Sequence, residues 1–388
     1  MEITRWQQRL LWLVLAALTG FYFFWITRAG FWPHGDNAKL LTFDFSPVWA
    51  AGHRVLSGEA LLVYDLPAHD AYQGALRGVE PPEDLPFGYP PFALWLTAPL
   101  ALFDYGTAMA LYLAAGFLLF AALLRKVTGD AVAAAAMALA IGGPTATIWL
   151  GQNGFLTASA ITAAMLFLPQ RKLAAGACLG LLTLKPHLAV LGFAALFLWR
   201  EWKALGAAIA TALALILLPT LVYGVEVWSL YAEAGRGIMA IVDKHYDRLI
   251  GQMMQSVYAG LDPLLGHGLA MGIQLASAAA ALAATAIIPA NRPNERAATL
   301  IAATLLATPY SFAYDATMLV SAVAFLLRGS RSLWLHLAGA FALLWVGSWF
   351  IQLGTVVPPA AALVLGLAIA RARPLHWKWW QPVEPHAP

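Results

Sequence analysis

An all-α bundle of membrane-spanning helices is the fold class this sequence predicts, and three observations predict it. Of 388 residues, 61% are hydrophobic and only 11% charged, against about a quarter charged in an ordinary soluble domain. Long apolar segments follow one another from Leu10 to Arg371, each approaching the roughly 20 residues a helix needs to cross the hydrocarbon core. Runs such as Ala204 to Val222 are apolar all round, whereas barrel strands alternate apolar and polar residues over about 10 positions. The bilayer is therefore the main solvent of this chain.

The N-terminus carries Arg5 and Arg9 ahead of an apolar stretch too long for a signal peptide, and no convincing small-residue cleavage site follows. It predicts a retained first span. Basic residues then recur in the joints between apolar segments, at Arg125, Lys126, Arg171, Lys172, Arg200, Lys203, Arg292, Arg296, Arg328, Arg331, Arg371, Arg373 and Lys378. With the N-terminus, these joints hold 15 of the 23 Lys and Arg residues and five of the 20 acids, which leaves 8 basic and 15 acidic residues opposite. The asymmetry, +10 against −7, assigns the basic joints to the cytoplasmic face.

One topology satisfies that asymmetry, with spans near residues 10–28, 105–124, 130–150, 154–169, 173–184, 188–199, 203–222, 266–289, 296–308, 313–327, 332–350 and 355–372. This predicts about twelve crossings, one integral domain over residues 1–388, a cytoplasmic tail at 373–388, and a multi-pass protein of the inner (plasma) membrane. Two long loops, residues 30–88 and 223–266, fall on the acidic, extracytoplasmic face. Several spans are short, notably beside LKPH (Leu184 to His187) and TPYSFAYD (Thr308 to Asp315). Irregular backbone at membrane depth survives only where it is buried in protein or lines a wet cavity, so these breaks are expected to converge on one. Cys178 has no second cysteine to bridge and sits among Gly and Ala, which reads as packing.

Candidate chemistry concentrates on the extracytoplasmic side. The first loop contains FDFSPVWAAGHR, with Asp44, Trp49, His53 and Arg54. Asp44 is a catalytic candidate, and a solvated loop carboxylate is the alternative. The same loop ends in FGYPP, where Tyr89 precedes two prolines that stiffen the return to the membrane. In WLGQNG, Gln152 and Asn153 offer amide groups suited to sugar hydroxyls or phosphate, while a helix cap is the plainer reading of Asn153.

Lys185 and His187 interrupt an apolar stretch, and an unpaired charge at mid-membrane costs roughly 2.5 to 3.5 kcal/mol. Lys185 therefore takes a phosphate, takes a carboxylate such as Asp315, or extends its ammonium to the surface. Tyr310 and Asp315 belong to the other polar break, where Asp315 either serves a site or only neutralises Lys185. The second loop mixes Arg236, Lys244, His245 and Arg248 with Asp243 and Asp247, a composition for a lipid phosphate or for an amphipathic surface helix. The sequence contains no Walker loop, dinucleotide glycine fingerprint, HExxH or cysteine pair, so neither a soluble nucleotide cofactor nor a resident metal is expected. The Trp377, Trp379 and Trp380 cluster beside Lys378 reads as an interfacial anchor.

Taken together, the early Asp with WAAG and YD, then YPP, then GQN, then KP resemble glycosyltransferase family 87 of the GT-C superfamily, which includes polyprenol-phosphate-mannose-dependent mannosyltransferases. The resemblance runs from Asp44 to Asp315. It implies a GT-C fold, a polyprenyl-phosphate sugar donor, a lipid or glycan acceptor, inversion at the anomeric carbon, and no cofactor or nucleic-acid partner. It also implies that Asp44 is the catalytic residue, and that Tyr89 to Pro91, Gln152 with Asn153, and Lys185 with Pro186 match the family motifs. The late break departs from the pattern: family mannosyltransferases often carry His after an SP-containing segment, and this chain carries Asp315. The competing class is a transporter or flippase of lipid-linked intermediates, which would use Lys185 and Asp315 at mid-bilayer and would not need Asp44.

Overall fold

Helices supply the regular structure of the described residues, 1–28, 43–78, 85–245, 253–348 and 355–372 of the computed structural model. No strand forms among them beyond two isolated bridges, Glu2 with Ser332 and Met254 with Phe312. In chain order the helices are α1 (Arg5–Arg28), α2 (Ser46–Leu56), α3 (Leu66–Arg77), α4 (Leu94–Thr97), α5 (Tyr105–Thr128), α6 (Ala131–Ala138), α7 (Gly143–Leu150), α8 (Gly154–Phe167) and α9 (Lys172–Leu181). They continue as α10 (Pro186–Leu198), α11 (Trp202–Tyr223), α12 (Glu226–His245), α13 (Val257–Leu265), α14 (His267–Ala286), α15 (Pro293–Ala307), α16 (Thr317–Leu327), α17 (Leu333–Gly347) and α18 (Val357–Ala372).

Local chemistry sets their limits. Asp104 caps α5 by accepting from Thr107 N–H at 3.0 Å, and Asp130 caps α6 by accepting from Val132 and Ala133 N–H. The α5 helix ends at Gly129 with φ 72°, just after Arg125 and Lys126 in its last turn, a placement that favours basic side chains beside the C-terminal carbonyls. Gly142 and Pro144 break the 130–150 segment into α6 and α7, which meet at 61°.

Three helices, α5, α11 and α14, are long and apolar enough to cross a membrane, and the bent α6–α7 pair makes a fourth if counted as one span. Where the sequence predicts about twelve crossings, the described residues thus hold three or four of full length, with the other apolar helices at 10–17 residues. Proline and glycine breaks account for the difference, as at Pro186, which opens α10. Leu213, Ile216, Leu217, Leu221 and Val222 of α11 are exposed, an apolar surface suited to lipid.

The interior forms around α16, all of whose residues are buried, as expected for a helix apolar on every side. Ion pairs join joints assigned to the basic face: Arg9 with Asp130 at 2.7 Å, Lys172 with Glu201 at 2.6 Å, and Arg371 with Glu295 at 3.4 Å. Ile3 N–H also bonds Arg331 C=O at 2.8 Å. These contacts between sequence-distant basic joints support their assignment to one side.

At the opposite end the first loop folds into a cap. Asp65 accepts from Ala68 N–H to start α3, which ends at Gly78 with φ 64°. Phe45, Val48, Val63, Tyr64 and Phe87 form a second core with Val227 and Ala234 of α12, so the second loop covers the first. His69 is buried in this cap, its Nε2–H donating to Pro47 C=O at 3.1 Å. Burial pushes its ring down to about 4 from the usual 6.5 or so. A depressed histidine binds fewer protons folded than unfolded, so its stabilisation is complete above about pH 6.5 and is lost as pH falls towards 4. The loss is roughly 3 kcal/mol. Thermal unfolding of the wild type is therefore expected to fall more steeply from pH 7 to pH 4.5 than that of His69→Gln, and parallel profiles would exclude this source.

Candidate active site

Four breaks in the helical pattern converge under the cap. The first is the 3-10 turn Phe43–Phe45 that presents Asp44 ahead of α2. The second is YPP, where Pro90 is extended at φ −59° and ψ 157° and Pro91 opens the next 3-10 turn. The third follows α7, where Gly151 takes φ 65° and an added Cβ would stand 2.7 Å from the Phe45 Cβ. Glycine at that position permits both the left-handed turn and the close approach that brings Gln152 beside Asp44.

Gln152 is the hinge of the polar network. Its Nε2–H donates to Asp44 Oδ2 at 3.0 Å, and its Oε1 accepts from the Tyr89 hydroxyl at 2.8 Å. Tyr64 Oη–H in turn donates to Tyr89 C=O at 2.9 Å. The YPP turn thus places a hydroxyl in the site as well as stiffening the chain. Asp44 is half-buried, and burial pushes its carboxyl above the usual carboxylate range while the Gln152 hydrogen bond and the Lys185 charge pull it down.

The fourth break pairs LKPH with TPYSFAYD. Pro186 excludes helical geometry from the residue before it, and Lys185 accordingly sits at φ −126° and ψ 88° with its side chain leaving the helix end. Its Nζ donates to Asp315 Oδ1 at 2.6 Å and lies 4.2 Å from the centre of the Tyr314 ring. Lys185 is 6% exposed and Asp315 fully buried, so among the three readings of the lysine the carboxylate partner holds and surface extension does not. Asp315 Oδ2 accepts from Phe312 N–H at 2.9 Å. Thr147 anchors the same turn through Tyr314 C=O at 3.4 Å and Thr317 Oγ1 at 2.8 Å.

Close packing of α7 on this turn has a testable consequence. A Cβ on Gly143 would stand 2.1 Å from Thr317 N and 2.3 Å from Ala316 C, backbone atoms that cannot rotate away. Gly143→Ala is expected to cost about 3 kcal/mol, seen as a lowered Tm in detergent. Gly206→Ala, on an open helix surface, serves as the unchanged control, and equal Tm values in both variants would refute the packing argument.

Other candidates contribute less directly: the Asn153 backbone N–H donates to Gln152 Oε1 at 3.3 Å, and the remaining side chains are engaged elsewhere or only near the network. Trp49 Nε1–H donates to Phe103 C=O at 3.1 Å, and His53 packs edge-on against the Trp49 ring at 4.5 Å. Arg54 is committed to the cap itself, donating to Glu59 at 3.1 Å and Ala68 C=O at 2.8 Å and stacking on Tyr72 at 4.2 Å. Asn153 occupies the cap position of α8 but makes no side-chain cap bond. His187 is exposed and within electrostatic reach of Asp315 and Lys185. Tyr310 packs beside Val242, Met254 and Tyr258 instead, and Tyr314, its neighbour four residues on, holds the place against Lys185.

Lys244 and Arg236 lie on α12, while Asp247, Arg248 and the tail with Trp377, Lys378, Trp379 and Trp380 fall outside the described residues. Tyr64, and Tyr112 in the cleft beside Tyr89 and 5.5 Å from the Phe45 ring, join the site unannounced, whereas Tyr314 belongs to the TPYSFAYD break that the sequence singled out. Among the described residues no cluster of three His, Cys, Asp or Glu is arranged for a metal ion.

A carboxylate set by an amide, a nearby tyrosine hydroxyl and a buried ammonium together have the chemistry to accept a proton and balance an anion. The description of glycosyltransferase family 87 matches residues 87–309. No curated protein and no solved structure matches the chain. The matched stretch contains Tyr89, Gln152, Asn153, Lys185 and His187; Asp315 follows its end closely, and Asp44 lies well upstream of its start. Covering more than half of an apolar helical chain and three of the four breaks that build the site, this match makes the protein a membrane glycosyltransferase that belongs to glycosyltransferase family 87.

Proposed function

We propose that the chain is an inverting enzyme of the GT-C type that moves a hexose, mannose in our reading, from a polyprenyl-phosphate sugar to a lipid or glycan acceptor at the extracytoplasmic face of the inner membrane. The observation that carries this reading is the Gln152 bridge, which ties Asp44 and Tyr89 together beside the Lys185–Asp315 pair. Asp44 in its ionised form accepts the proton of the acceptor hydroxyl as that oxygen attacks the anomeric carbon. The bond from the anomeric carbon to the phosphate oxygen breaks on the opposite side, and the phosphate leaves with the electron pair. That leaving group needs charge stabilisation and no proton, and Lys185 is the ammonium at hand.

An apolar cleft supports a lipid-borne donor. Val48, Phe87, Leu96, Leu100, Leu156 and Leu184 line it next to Tyr89 and Asn153, and in this reading the first part of the isoprenoid tail lies against these side chains. The α12 helix covers the cap with Tyr231 against Tyr64 at 5.7 Å and is suited to close over a bound substrate. The transporter or flippase reading accounts for the Lys185–Asp315 pair but leaves the Asp44 bridge without a task.

The test is transfer by the purified protein from a panel of radiolabelled polyprenyl-phosphate sugars, with nucleotide sugars in parallel. Label in a new lipid or glycan product from at least one polyprenyl donor, and from no nucleotide sugar, is the expected result. Transfer from a nucleotide sugar alone would refute the donor class, and transport of a lipid-linked sugar without transfer would favour the transporter.

A further inference from the structure

The charge of the centre conflicts with an anionic substrate. The charged set at this centre is Lys185 with two acids, Asp315 in a 2.6 Å hydrogen bond and Asp44 within electrostatic reach. With both acids ionised, that set is net negative by one. A donor phosphodiester adds a further negative charge beside a lysine that already has a counter-ion. Lys185 and Asp315 are 6% and 0% exposed, so salt and water screen the conflict poorly.

Asp315 is not free to swing aside. Its second oxygen is held by Phe312 N–H at 2.9 Å, and Thr147 ties the surrounding turn through Tyr314 and Thr317. A phosphate that reaches Lys185 Nζ therefore arrives next to a fixed carboxylate. We infer that Asp315 is the resident counter-ion with which the substrate phosphate competes for Lys185, and that it thereby sets phosphate affinity and promotes release of the product. This inference rests on the polyprenyl-phosphate reading above.

Two consequences follow from the charges involved. First, Asp315 holds the Lys185 ammonium in position through the 2.6 Å hydrogen bond, so a phosphate meets an ammonium that is already engaged. After transfer the carrier remains as a phosphate monoester, whose charge near pH 7 is about −1.5 to −2, against a single charge on the donor diester. The repulsion from Asp315 is therefore stronger for the product than for the donor, and it drives the exchange in the direction of turnover.

The experiment titrates purified full-length wild type and Asp315→Asn with farnesyl monophosphate, and with farnesol as the same tail lacking the phosphate, following tryptophan fluorescence. Asparagine keeps an oxygen to accept from Phe312 N–H and removes the anion. The expected result is farnesyl monophosphate binding about tenfold tighter in Asp315→Asn, with farnesol binding unchanged. Equal or weaker monophosphate binding in the variant, with the wild type binding normally, overturns the counter-ion role and leaves the donor reading standing. Failure of farnesyl monophosphate to bind either protein overturns both. Asp315→His also offers Phe312 N–H an acceptor without an anion, and it carries the same expectation should Asp315→Asn not fold.

Discussion

Asp44→Asn is expected to lower sugar transfer by about a thousandfold, within the range for loss of a general base, while the protein keeps its fold. Asparagine occupies the same volume and still accepts from Gln152 Nε2–H, so the bridge to Tyr89 survives. What disappears is the capacity to take a proton. The loss should fall on kcat, because Asp44 faces the attacking hydroxyl in this reading and the donor phosphate is held elsewhere. Transfer near the wild-type rate at equal expression would remove Asp44 from the chemistry.

The wild-type pH profile provides an independent check on the same residue. Burial holds the Asp44 carboxyl above the usual carboxylate range, and the base works only when ionised. Activity should therefore fall with acidification at a higher pH than an ordinary surface carboxylate would give. Residual activity in Asp44→Asn should lack that acidic limb.

Removing Lys185 is expected to have the second large effect, and it acts on two properties at once. Lys185→Met leaves Asp315 buried and unpaired, at a cost of about 3–5 kcal/mol in stability. In the proposed mechanism it also removes the ammonium that meets the leaving phosphate, and kcat/KM is expected to fall by about a hundred- to thousandfold. The double variant Lys185→Met with Asp315→Leu separates the two effects. Apolar side chains of similar size fill the buried site without a lone charge, so Tm recovers towards the wild type while transfer stays low. Recovery of transfer together with Tm would mean that the pair is purely structural.

Much of this protein is legible along the chain. Apolar runs such as Ala204 to Val222 disclose the membrane, because a segment without a polar face has only lipid or a buried core as solvent. The basic joints identify one face, and contacts such as Arg9 with Asp130 and Ile3 with Arg331 bring those joints together. The breaks at YPP, GQN, KP and TPYSFAYD announce themselves because proline, glycine and charge interrupt helices locally. Family membership follows from their order, as the match over residues 87–309 bears out.

What the chain could not disclose is which break answers which. Asp44 and Gln152 are 108 residues apart, and Lys185 and Asp315 are 130 apart, so neither pairing leaves a local periodic signal. For Lys185 the sequence offered phosphate, carboxylate or surface as partners, and only the approach of the break before α10 to the turn before α16 selected Asp315. The same holds for Arg54, a first-loop candidate whose partner the sequence did not indicate, which the folding of that loop commits to Glu59 and Ala68. Helix lengths were likewise set in three dimensions, since a short apolar helix is stable in a bilayer only when neighbours satisfy its broken ends. Solvent class, charge sidedness and the positions of the breaks were thus determined by sequence, because each depends on neighbours within one or two helical turns. The assembly of Asp44, Gln152, Tyr89, Lys185 and Asp315 into one site was left to tertiary structure, because it depends on which distant segments pack closely enough to share a hydrogen bond.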